Sequence, residues 1–246
     1  MPDPSHPMPE LSADDRIDLE AGGLIRVDKP VGWTSFDVVN KVRYALKALA
    51  GKRVKVGHAG TLDPLASGLL LLGYGPGTKR LEELTGLDKT YEGTIRLGAV
   101  TPSYDAETEE QDAKPWEHLS ADGIGAAVDS FQGTQQQRPP LFSAKRVDGT
   151  RGYHLAREGA EVELPPATVT VHEIAVLAVR GREVDIRVRC SKGTYIRSLA
   201  HDIGQRLGCG GYLSGLRRTA IGPWEVDGAP GPEDWSEHLR GLAESQ

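Results

Sequence analysis

The chain has 246 residues, 38% of them hydrophobic, with 30 glycines and 16 prolines, which is enough apolar material for a core and too many turn formers for a helical bundle. No stretch approaches the roughly 18 consecutive apolar residues of a membrane span, and two cysteines outside any CxxC pattern predict no disulfide framework and a reducing, cytoplasmic setting. The net charge of −6 argues against a nucleic-acid partner only until its distribution is read.

Residues 1–22 and 225–246 each carry a net −5, which leaves +4 on 23–224. Within that body, 41–55 holds six basic residues and no acid. Residues 187–218 hold seven basic residues against the single acid Asp202. Local basic stripes govern phosphate binding more than the total charge does. The alternative use of such stripes is as ordinary solvated faces.

In chain order, residues 1–22 lack a basic-then-apolar signal pattern and read as a flexible acidic lead-in. Residues 24–35, "LIRVDKPVGWTS", read as a short strand and a turn closed by Lys29, Pro30 and Gly32. Thr34 or Ser35 caps the helix that follows, whose Val38, Val39, Val42, Leu46 and Leu49 share one face. "GLLLLGYG" (68–75) reads as a buried strand between glycines. Residues 91–100 and 183–190 alternate with period two, as antiparallel strands with one covered face do. In the latter, Val184, Ile186, Val188 and Cys190 face inward. Acidic residues 103–122 read as a surface loop that enters a helix near Ser120. Residues 132–160, polar and basic with few aliphatics, read as an excursion from the core. Residues 194–208 read as an amphipathic helix with Ile196, Leu199, Ala200, Ile203 and Leu207 inward.

Several chemistries are excluded by spacing. "GYGPGTK" (73–79) places Thr78 before Lys79, so the P-loop pattern fails. None of the seven histidines stands at HxH or HExxH spacing, which predicts no metal site. GxSxG is absent, and with it the nucleophile elbow of serine hydrolases. What remains is "GHAGTLDPLASG" (57–68), with one carboxylate, Asp63, before a proline. A lone Asp-Pro is ordinarily a turn starter. By the same standard a lone His58 is a loop histidine, Arg197 a solvated helix residue, Tyr91 strand packing and Lys29-Pro30 a turn.

Five stretches together change that reading. They are "VDKPVGWTSFDVV" (27–39), "KVGHAGTLDPLASGLLLLGYGPGTK" (55–79), "KTYEGTIRLGAVTPSYDAE" (89–107), "QRPPLFSAKRVDGTRGYHLAREG" (137–159) and "CSKGTYIRSLAHDIGQRLGCGGYLSGLRR" (190–218). In sequence and order they resemble the TruB-type tRNA pseudouridine synthases. The resemblance implies a mixed α/β (α+β) fold, the pseudouridine-synthase fold, with a largely antiparallel mixed sheet flanked by helices and loops around a central RNA-binding cleft. It implies a catalytic domain over 23–222, with a mobile thumb at about 132–160 that closes on the RNA. The implied reaction isomerises a uridine in the T loop of tRNA, position 55 in tRNA numbering. Asp63 matches the family's catalytic aspartate, Tyr91 the tyrosine that stacks on the target base, and Arg197 the arginine paired with the aspartate. His58, Tyr195 and Leu216 match residues lining the RNA or nucleotide pocket, and Lys29 and Pro30 match a motif supporting its floor.

The match is not uniform. Arg146 stands where the family more often has lysine, and Phe142 where tyrosine is common, which removes a hydroxyl. The acidic stretch 223–246 reads as a short tail, without the complete RNA-binding PUA domain of many relatives. The reaction breaks N1–C1′ and joins C5 to C1′. It imports no group and changes no oxidation state, so it calls for no nucleotide cofactor, other cofactor or metal. The expected partner is the T arm of tRNA, bound by a monomer with no membrane attachment. Two alternatives are a related synthase acting on another RNA, and an RNA-binding or tRNA-folding module whose catalysis is incidental.

Overall fold

A computed structural model describes residues 17–143, 146–147, 150–151 and 164–245. Most of the lead-in and the central part of the expected thumb lie outside the described residues. The chain forms two compact units, one of residues 1–87 with 218–246 and the other of residues 88–217.

In the first unit, strand β1 (Gly23–Lys29) pairs antiparallel with β3 (Ala66–Tyr74), from Gly23 opposite Tyr74 to Lys29 opposite Gly68. The short β2 (Val56–His58) pairs antiparallel with the end of β3. Between β1 and β2 lies helix α1 (Ser35–Ala50). Thr34 caps it, with its side chain accepting from the Asp37 N–H while the Asp37 carboxylate accepts from the Thr34 N–H, a reciprocal capping box. Gly51, at φ 64°, ends it in the left-handed conformation. Residues 75–80 form a 3₁₀ turn leading into the short helix α2 (Leu81–Thr85).

Strand β3 has a continuous apolar run because both of its faces are buried. Leu70, Leu72 and Tyr74 join Val38, Val42 and Leu46 of α1 in one cluster. Leu69 and Leu71 join Leu84, Ile221 and Trp224 in another. The acidic stretch after 223 is more than a tail. It contains β11 (Trp224–Glu225), which pairs with the end of β10 (Gly211–Ile221), and helix α5 (Pro232–Glu244). Helix α5 is amphipathic, so its net charge conceals an apolar stripe. Trp235 and Leu239, one turn apart, are buried against the α1 cluster, and the Trp235 indole donates to the Arg26 carbonyl at 2.7 Å.

In the second unit, β4 (Lys89–Leu97), β9 (Glu183–Cys190), β8 (Ala167–Arg180) and β5 (Gly133–Gln137) are successive antiparallel neighbours. The first part of β10 lies on the other side of β4. Two short strands, β6 (Arg146–Val147) and β7 (Thr150–Arg151), pair with each other. Helices α3 (Ala121–Asp129) and α4 (Ile196–Arg206) contribute to the core on one face. As the alternation predicts, Val184, Ile186, Val188 and Cys190 of β9 are buried there, with Leu199, Ala200 and Ile203 of α4. The opposite face is polar, and Arg187 meets Glu92 at 2.7 Å across the β9–β4 ladder. Among the described residues no helix is long and apolar enough to cross a membrane.

Candidate active site

The predicted site residues fall in both units. Lys29, Pro30, His58 and Asp63 belong to the first, and Tyr91, Tyr195, Arg197 and Leu216 to the second.

Asp63 is half-buried on the loop between β2 and β3. That loop is fixed from two sides. From α1, the buried Ser35 hydroxyl accepts from the Leu62 N–H at 2.9 Å and donates to the Leu62 carbonyl at 3.1 Å, locking the residue before the aspartate. From β10, the Arg218 guanidinium donates to the carbonyls of Leu69 (2.8 Å), Gly60 (3.2 Å) and Thr61 (3.4 Å). Arg218 is 1% exposed, and its backbone can lie that close because Gly68, at φ 104°, has no Cβ. An added Cβ would stand 2.2 Å from the Arg218 carbonyl oxygen. After the aspartate, the Pro64 carbonyl accepts from the Gly32 N–H at 2.8 Å. Asp-Pro is thus a turn, as its sequence reads, and the turn is anchored on both flanks.

Lys29 ends β1 wholly buried, its ammonium donating to the carbonyls of Trp33 (2.7 Å) and Pro30 (2.9 Å). Burial pulls its pKa down to about 8, the nearby Asp63 charge opposes that fall and the Arg218 charge adds to it. Pro30 itself is exposed. His58, on β2, is held below the usual histidine range, first by burial and also by the Arg218 charge, while a backbone hydrogen bond at Gly60 opposes. The imidazole is therefore neutral at pH 7.

In the second unit, Tyr91 and Leu216 are half-buried and pack against the edge of its core. Gly93, between Tyr91 and Ile95 on β4, makes room for Leu213 and Leu216, whose methyl carbons would lie 3.2 and 3.5 Å from an added Cβ. Tyr195 caps α4. Its N–H donates to the Gln137 amide oxygen at 2.8 Å and its carbonyl accepts from the Gln137 amide nitrogen at 3.1 Å. Ser198 donates to the Arg138 carbonyl at 2.7 Å. The segment entering the expected thumb is thereby pinned to the start of α4.

Arg197 is not the solvated residue that a lone arginine on a helix would be. It is buried, 5% exposed, and donates to the carbonyls of Phe142 (2.9 Å) and Ser103 (3.2 Å). Its guanidinium also lies 3.4 Å from the Asp105 carboxylate. The contact with Phe142 uses a backbone carbonyl, so the missing tyrosine hydroxyl at that position does not affect it. Asp105 is buried, with Oδ1 accepting from the Ser103 hydroxyl at 2.6 Å and from the Glu107 N–H at 2.9 Å. Sequence reasoning missed Asp105 because it sits among five other acids in an acidic loop. It also took Arg218 for part of a surface stripe. A charge-dense stretch offers no local signal for which member is buried.

The stripe at 187–218 is largely committed to the protein itself. Arg187 pairs with Glu92, Arg189 with Glu173 (2.9 Å) and Asp88 (3.3 Å), and Arg197 and Arg218 are buried. At 41–55, among the described residues, only Lys41 has an acidic partner, Glu233 of α5. Arg43, Tyr44, Lys47 and Arg53 line a surface cavity of about 220 Å³, and Arg43, Arg53 and Lys55 line a neighbouring one of about 290 Å³.

The comparisons with known proteins agree with one another. The family model for the TruB family pseudouridylate synthase N-terminal domain matches residues 47–196, and that for the tRNA pseudouridylate synthase B C-terminal domain matches 197–230. A curated protein of Parabacteroides distasonis named tRNA pseudouridine synthase B is 47% identical over 224 residues, covering 91% of this chain and 95% of its own. Its namesake from Flavobacterium johnsoniae is 48% identical, covering 85% of this chain and 92% of its own. Among solved structures, a chain of a Cbf5–Nop10–Gar1 complex superimposes with a TM-score of 0.68 at 30% identity over 98% of this chain, which spans 64% of that longer one. By sequence and by fold, the chain belongs to the TruB family of pseudouridylate synthases.

Proposed function

We propose that this enzyme isomerises uridine to pseudouridine in the T loop of tRNA, with Asp63 as its nucleophile. One observation carries the reading. The Asp63 carboxylate stands on a loop whose backbone is held at Gly60, Thr61 and Leu62 by two buried side chains, Arg218 and Ser35. A turn that only reverses the chain needs no such anchoring, whereas a reacting group must be held in place to act on a bound base. Curated relatives of nearly equal length are named tRNA pseudouridine synthase B, which supports tRNA as the substrate.

In this reading the target base leaves its stack and enters a pocket where Tyr91 provides a flat platform, a contact worth roughly 1–3 kcal/mol per base. Tyr195 and Leu216 line the pocket. His58, neutral at pH 7, meets the RNA beside the emptied position, and Lys29 and Pro30 support the floor. The carboxylate must stay ionised where water is excluded, and cations favour the anion. Arg197 fills that role with a guanidinium already fixed by Asp105 and two carbonyls; its five N–H donors suit it to more than one acceptor. The N1–C1′ bond breaks, C5 takes its place on C1′, and the C5 proton is lost as N1 gains one, so the sum is an isomerisation. The open basic patch at 41–55 holds phosphates.

The test is site-mapped pseudouridine detection on an unmodified tRNA transcript, without cofactor, for the wild type and Asp63→Asn side by side. The expected result is modification at the T-loop uridine by the wild type alone, with the variant still binding tRNA. Modification elsewhere overturns the T-loop assignment, and substantial turnover by Asp63→Asn overturns the nucleophile.

A further inference from the structure

We infer that Tyr104 and His201, stacked on one another, are positioning residues that hold Asp105 against Arg197. The inference rests on the reading of Arg197 as part of the reacting centre.

Tyr104 directly precedes Asp105, and its φ is 62°. For a bulky side chain that backbone conformation is disfavoured and persists only where the surroundings impose it. Its main chain is engaged at both ends, the N–H donating to the Thr101 carbonyl at 3.1 Å and the carbonyl accepting from the Leu213 N–H at 3.0 Å. Its ring lies on the imidazole of His201, with centroids 3.9 Å apart and planes 13° from parallel.

His201 stands four residues after Arg197 on α4, so both project from the same face of the helix. One helix therefore carries the guanidinium and also the ring that clamps the turn bearing its carboxylate partner. The geometry at Asp105 makes this placement critical. Oδ1 is occupied by the Ser103 hydroxyl and the Glu107 N–H, which leaves Oδ2 to face Arg197 at 3.4 Å. If the turn relaxed toward ordinary φ, the carboxylate would swing with it. The contacts of His201 fit a packing role. Its Nδ1 is buried without a hydrogen-bond partner among the described residues, and its Nε2 lies 3.5 Å from the Gln205 amide nitrogen.

The experiment measures steady-state kinetics on a tRNA transcript, tRNA affinity and thermal melting for variants of the full chain. His201→Ala is expected to lower kcat on the order of 10- to 100-fold, the scale of an ångström-sized misplacement, with KM and tRNA Kd within about twofold. His201→Phe keeps a flat ring and is expected to restore most of the loss. Tyr104→Gly accepts the positive φ but loses the ring. It is expected to match His201→Ala, and it stands in for that variant if the alanine protein does not fold. In an Asp105→Asn background, His201→Ala should add no further loss, because the two act through one group. A normal kcat for His201→Ala, a change confined to KM, or a phenylalanine variant as slow as the alanine one overturns the inference. If Asp105→Asn turns over normally, the reading of Arg197 fails and the inference with it. An inactive Asp105→Asn beside a normal His201→Ala refutes the positioning pair alone.

Discussion

Two stretches of this chain carry nearly the same signal in the sequence and serve different ends in the fold. Residues 41–55 and 187–218 are both basic stripes with at most one acid. In the first, the cations lie on the open side of α1 and the turn after it, and the α5 side takes up only Lys41. In the second, Arg187 and Arg189 of β9 pair with Glu92 and Glu173 of the strands on either side, and Arg197 and Arg218 are buried as braces for loops. Charge density alone thus does not locate a phosphate-binding face. What separates the two is whether neighbouring elements supply acceptors. A helix end open to solvent supplies none, whereas a strand between strands meets side chains from both sides.

The comparison is broken most severely if a member of the second stretch turns out to hold RNA. Arg197→Ala should lower kcat by about 100-fold or more, the scale of losing a preorganised charge at a reacting centre, with tRNA affinity nearly unchanged; affinity falling with kcat intact would return Arg197 to the RNA-binding surface. Arg218→Ala strands three backbone carbonyls and should cost about 3 kcal/mol of stability, measured by denaturant unfolding. Its activity should fall as the Asp63 loop loosens.

For the first stretch the converse holds. Lys47→Glu with Arg53→Glu should weaken tRNA binding about tenfold and flatten the log K against log salt slope by about two, with kcat at saturating tRNA preserved. An unchanged slope would leave that patch without an RNA. Asp202, the one acid of the second stretch, has its pKa raised by burial to about 6 from an ordinary 3.8. The folded state therefore binds its proton more tightly than the unfolded state, and stability drains away as pH rises from about 4 to 6. Asp202→Asn should melt a few degrees higher at pH 7, and the gain should vanish below pH 4. The smallest effect is expected for Arg187→Ala. Its pair with Glu92 is exposed, so stability should shift by less than about 1 kcal/mol and tRNA affinity not at all.

Some features could be read locally because their physics is local. Thr34 and Asp37 lie three residues apart and cap α1 through that spacing. The period-two pattern of β9 needs only one covered face to be explained. The Asp63 loop was recognisable by its motif, although a lone Asp-Pro has an ordinary structural explanation. Other features depend on partners distant in sequence. Ser35 reads as a possible cap, yet its hydroxyl is spent on Leu62, 27 residues away. Asp105 is one of six acids between Asp105 and Glu117, and only its burial beside Arg197 singles it out. Trp235 and Leu239 lie at helical spacing, but the acidic composition around them hid a helix that packs on α1.

The sequence by itself determined helix α1 with its cap, the inward faces of β9 and α4, and the ordered motifs of the family, since each depends on residues a few positions apart. The tertiary structure decided which charges remain open to a ligand and which brace the molecule. A charge keeps its place in water unless acceptors surround it, and those acceptors come from residues as far as 158 positions away, as Gly60 does for Arg218.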